Sequence, residues 1–73
     1  MKKAEKLFRE IMKQKYFEWQ DAHDSEYRAI CCSNYCVCED IAKEVFGWTD
    51  HQVEVNEDRW RKQWRIQNGE CFN

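Results

Sequence analysis

Apolar positions recur along this 73-residue chain with the three-and-four spacing of helices, in three windows separated by short polar gaps. In residues 2–20, Ala4, Leu7, Phe8, Ile11, Met12 and Trp19 share one stripe, and Lys and Glu cover the rest of the helix surface. Phe17 falls off that stripe. The middle window, residues 24–47, is the stretch around which the chain is expected to be organised. At about 100° per residue, Tyr27, Ile30, Asn34, Val37, Ile41 and Val45 fall on one broad face together with Cys31, Cys38, Ala42 and Phe46. Cys32, Cys36, Asp40 and Lys43 fall opposite. In the third window Val53, Trp60 and Trp64 share a face.

The gaps carry helix punctuation. A single helix running through both of the first two windows would shift its apolar face by roughly 100° between Ala4 and Cys31, so no one partner could bury it. Asp21, Asp24 and Ser25 supply N-cap candidates at that point, because a short side-chain oxygen accepts from the first free backbone N–H groups. Gly47 can take the positive φ that closes the middle helix. Immediately after it, Thr49 and Gln52 have the spacing of a capping box, and Trp48 with Val53 that of a hydrophobic staple. Asp50 near the start of the third helix and Lys62 and Arg65 near its end match the helix dipole, and Asn68-Gly69 can close it.

These signals predict helices over residues 3–20, 25–46 and 50–67 in an all-α, antiparallel three-helix bundle, one domain spanning 1–73. The expected core draws Leu7, Phe8, Ile11 and Met12 from the first helix and Ile30, Cys31, Val37, Cys38, Ile41 and Val45 from the second. Trp60 and Trp64 complete it from the third. The competing reading is α+β, two helices and a C-terminal β-hairpin, since Val53 and Val55 alternate like a strand and Asn68-Gly69 suits a type I′ turn.

Composition narrows the class. Charged residues make up 36% of the chain and no apolar run is long enough to span a bilayer, so no membrane association is expected. Met1-Lys2-Lys3 imitates the start of a signal peptide, but Glu5, Lys6, Arg9 and Glu10 interrupt the apolar stretch that should follow, which points to the cytoplasm. There the five cysteines stay reduced. Thiols at i,i+4 on a helix, about 5–6 Å apart at Cβ, are also too distant for an unstrained disulfide.

Charge falls in three zones: residues 1–17 carry a net +4, residues 18–58 a net −9 and residues 59–73 a net +3, within an overall −2. The last zone contains Arg59-Trp60-Arg61-Lys62-Gln63-Trp64-Arg65, whose interleaved basic and aromatic residues resemble surfaces that bind phosphates and stack bases. Two facts count against a nucleic-acid partner. The chain as a whole is acidic, and Trp60 and Trp64 lie on the face expected to be buried.

No resident cofactor is expected. A small zinc-binding or redox protein using the clustered cysteines is the alternative: Cys32 and Cys36 could reach one ion from a single helical turn, with Cys71 approaching from the returning chain and His23 from the start of the second helix. No C-x2-C pair accompanies them. Phosphate loops, nucleophile elbows and H-E-x-x-H motifs are missing too, so no enzymatic activity is expected. The remaining candidate is a contact surface. With Val53, Trp60 and Trp64 turned inward, Val55, Arg59, Lys62 and Ile66 align on the other side of the third helix as a mixed apolar and basic stripe, and Phe17 is a further exposed aromatic. The chain therefore reads as a small protein-interaction module, a regulator or inhibitor whose partner is a larger protein, or a second copy in a homo-oligomer.

Overall fold

A computed structural model describes residues 2–69 and contains three helices, α1 (Lys2–Asp21), α2 (Ser25–Val45) and α3 (Asp50–Gln67), with no strand among the described residues. The up-down-up bundle is therefore the fold. Residues 50–67 are helical throughout, so Val53 and Val55 are not strand residues. Asn68 and Gly69 close α3, their N–H groups donating to the carbonyls of Trp64 (3.0 Å) and Ile66 (3.1 Å).

The punctuation acts as its chemistry requires. The Asp24 carboxylate accepts from the Tyr27 N–H at 3.0 Å and starts α2. Gly47 takes φ +70°, which lets the chain reverse so that the Trp48 N–H donates to the Ala42 carbonyl at 3.0 Å. Thr49 and Gln52 form the reciprocal capping box (3.1 and 2.8 Å), with Trp48 and Val53 buried beneath it. One cap comes from outside its own helix. α1 has no basic residue in its last turn, and Arg28 of α2 donates to the carbonyls of Trp19 (3.3 Å) and Ala22 (3.4 Å) while its guanidinium lies over the Trp19 ring.

Helix α1, not α2, is the element on which the others lean. It packs most extensively against α2 and next against α3, while α2 and α3 touch each other least. At the two ends of α1, the Trp48 indole donates to Glu5 (2.9 Å) and the Trp64 indole to Asp21 (2.7 Å), which fixes α1 and α3 parallel to each other. Phe8 against Phe46 and Tyr16 against Tyr35 set α2 antiparallel to both.

The core is the main departure from the sequence reading. Met12, Cys31, Cys38 and Trp60 are buried as expected, and Phe8 and Trp64 are half-buried. Leu7, Ile11, Ile30, Val37, Ile41 and Val45 are instead exposed, Ile30 and Val37 each at 57%. In their place stand Tyr16, Ala22, Tyr35, Ala42 and Trp48, while Val53 is buried as its shared face with Trp60 requires. The physical reason lies in side-chain size. A Tyr or Trp ring buries 150–250 Å², more than any aliphatic side chain in the chain, so the arrangement that seats the rings dominates. On α1 the buried line is Phe8, Met12, Tyr16, Trp19. On α2 it is Cys31, Tyr35, Cys38, Ala42, three of them small enough to let the helix approach the rings of α1 closely. Both helices have turned their aromatic side inward and left an aliphatic flank outside.

Two substitutions test this core. Met12→Ala, at a side chain with no exposure, is expected to cost about 2–5 kcal/mol in urea denaturation. Tyr35→Phe keeps the ring and removes a 2.8 Å hydrogen bond to the Glu57 carboxylate, for an expected loss of about 1.5–3 kcal/mol. A change below about 0.5 kcal/mol at either site would contradict the packing described.

Candidate interaction surface

Three inward residues of α3, Val53, Asn56 and Trp60, follow one another at helical spacing, and they fix what the opposite side presents. Asn56 is tolerated there because its amide donates to the Gln52 carbonyl at 2.8 Å. The outward side then carries Val55, Arg59, Lys62 and Ile66, all exposed, at the spacing expected. Together with Asp58 and Gln63 they line a shallow open depression. Asp58 is engaged by Arg61 at 2.8 Å. Arg59 and Lys62 form no ion pair among the described residues, so two positive charges and two aliphatic side chains are presented together.

Phe17 lies elsewhere. It is half-buried on α1, packed against the core beside Tyr16, with the Lys13 ammonium 5.8 Å from its ring. Helical phase sets Phe17 off the expected stripe, but the buried line of α1 is rotated toward Tyr16, which brings the Phe17 ring against the core. In the Arg/Trp-rich segment, Trp60 is buried against Tyr16 and Trp64 is half-buried with its indole bound to Asp21. Trp60 therefore has no free face on which a base could stack.

The cysteines divide as helical phase requires. Cys31 and Cys38 are buried, Cys32 is half-buried and Cys36 is exposed, and all four are free thiols. Desolvation first, and then the charge and hydrogen bond of Cys32 with Glu39 and Asp40 nearby, raise the Cys36 thiol above its ordinary range. Burial raises Cys38, and Lys15 opposes it only partly. His23 is exposed in the α1–α2 turn. Among the described residues no three His, Cys, Asp or Glu side chains are grouped to hold a metal ion; Cys71 lies outside the described residues. No described helix is long and apolar enough to cross a membrane.

Comparison with known protein families, curated proteins and solved structures finds no match for this chain.

Alkylation of the native protein is expected to modify Cys32 and Cys36 well before Cys31 and Cys38. Because the Cys36 thiol is raised, its modification should keep accelerating at pH values where an ordinary exposed thiol has levelled off. Peptide mapping after timed alkylation between pH 7 and pH 10 reads both effects; equal protection of all four would contradict the burial described.

Proposed function

We propose that the chain is a protein-binding module which acts by docking the outer stripe of α3 on a larger partner as a regulator or inhibitor, and not by catalysis. The observation that carries this reading is the exposure of Val55 and Ile66 on either side of Arg59 and Lys62, on a helix whose opposite face is already committed to its own core. A folded helix that presents apolar anchors on either side of positive charge that forms no ion pair among the described residues suits an acidic groove on another protein, where burial gives affinity and the charges give orientation and on-rate. Its shallow, open shape suits a macromolecule better than a small substrate. We place the module in the cytoplasm, where the thiols of α2 stay reduced. A nucleic-acid partner would use the same basic residues, but burial of Trp60 removes one of the two rings which that reading needs.

The double variant Arg59→Ser, Ile66→Ser is expected to keep its helical circular dichroism and melting temperature while binding to the captured partner weakens at least about a hundredfold. Affinity capture from the host lysate identifies the partner, and calorimetry with the purified partner at two salt concentrations measures the loss. Affinity that falls with added salt in the wild type and less steeply in the variant would mark the basic contribution. Unchanged affinity would move the surface elsewhere, and binding abolished by nuclease would replace the protein partner with nucleic acid.

A further inference from the structure

The larger uncovered surface is not on α3. Along α2, Tyr27, Ile30, Val37, Ile41 and Val45 are exposed, and with Asn34 they follow one another at spacings of 3, 4, 3, 4 and 4. This is close to a coiled-coil seam with one polar residue at its middle. By helical phase the seam lies roughly 90° from the buried line of Cys31, Tyr35, Cys38 and Ala42, on the side away from α3. α1 borders it with a matching line. Tyr16 and Trp19 pack on Tyr35, and by helical phase Glu18 and Lys15, then Ile11 and Leu7 toward the N-terminus, follow one another on the flank of α1 beside that contact. α3 thus covers one face of the α1–α2 pair, and the other face is open and aliphatic.

We propose that this open face binds a second copy of the chain, α1–α2 pair upon α1–α2 pair, to form a four-helix core with α3 on the outside of each copy. The size is appropriate. The seven large apolar side chains of the face expose roughly 700 Å², more than the largest patch of a typical monomer at about 300–600 Å² and near the roughly 800 Å² per partner of a stable interface.

The residues also favour one arrangement, a two-fold axis that sets α2 antiparallel to α2 of the second copy and passes between Asn34 and Val37. Ile30 then faces Ile41 of the second copy, and Tyr27 faces Glu44 and Val45, so its hydroxyl can donate to the Glu44 carboxylate. The two Asn34 residues are offset by about 4.5 Å along the helix direction, close enough for their amides to pair. Tyr16 packs against Tyr35, so the same axis passes α1 near residue 16, and the Lys15–Glu18 pair of one copy, 3.4 Å apart within the chain, meets that of the other in reverse order, Lys15 toward Glu18. A parallel arrangement would oppose Glu44 to Glu44 and Lys15 to Lys15, like charges in contact. Four helices, each antiparallel to its neighbours, are a common way for two helical hairpins to close a core.

Sedimentation equilibrium at about 100 µM is expected to give twice the 9.0 kDa chain mass. Val37→Asp is expected to return a 9.0 kDa species with helicity retained, since Val37 is exposed within the single chain. Orientation is read by complementation. Ile30→Lys and Ile41→Asp are each expected to be monomeric alone and to form a dimer when mixed one to one, because only the antiparallel axis places position 30 against position 41.

A wild type that stays at 9.0 kDa, including one that gives this face to a different protein, would overturn the proposal. So would a dimer dissociated by Arg59→Ser, Ile66→Ser but not by Val37→Asp. A mixture that remains monomeric would overturn the antiparallel axis.

Discussion

Tyr16 is the point at which all three helices meet. Its ring, 2% exposed, lies 5.6 Å from Tyr35 of α2 and 6.1 Å from Trp60 of α3, with Trp19 of its own helix edge-on at 5.8 Å. Such pairs add about 0.5–1.5 kcal/mol each beyond the area they bury. In a chain this short, with little interior to distribute load, a cluster of that kind sets the rotation of every helix around it. α1 becomes the hub because it holds Tyr16 and Trp19, and α2 can approach because Cys31, Cys38 and Ala42 are small.

The rings bring polar atoms inward, and carboxylates from other parts of the chain supply the acceptors. The Tyr35 hydroxyl reaches Glu57, the Trp48 indole reaches Glu5 and the Trp64 indole reaches Asp21, each bond joining two different parts of the bundle. Burial of Tyr35, reinforced by the Glu57 carboxylate, pushes its hydroxyl well above the usual tyrosine range and so favours the protonated, donating form. A buried ring whose polar end is satisfied specifies geometry as well as area, which a leucine in the same place would not do.

Seating the aromatic residues has a consequence at the surface. Two helices whose apolar faces are each broader than the contact between them can bury only part of those faces. α3 draws the buried part to one side. The aliphatic remainder of α1 and α2 forms the open face opposite α3, while α3 shows solvent a stripe of different character, apolar and basic. The molecule therefore offers two surfaces with unlike chemistry, one aliphatic along α1 and α2 and the other mixed apolar and basic on α3.

The sequence by itself determined the helices, their ends and their order. Those depend on local rules: Asp24 and Thr49 accept from free N–H groups, Gly47 takes a conformation that costs other residues energy, and connections of a few residues force neighbours antiparallel. It also determined that the stripe from Val55 to Ile66 faces outward, because Val53 and Trp60 on the other side of α3 leave little choice of rotation. Only the tertiary structure decided which half of each broad face is buried on α1 and α2. Period alone gave Ile30, Val37 and Ile41 the same claim to the interior as Cys31 and Cys38. The choice rested on Tyr16 and Tyr35, which count as half-polar in a pattern but carry the largest buried areas once Glu57 satisfies a hydroxyl that lies 22 residues away in the chain.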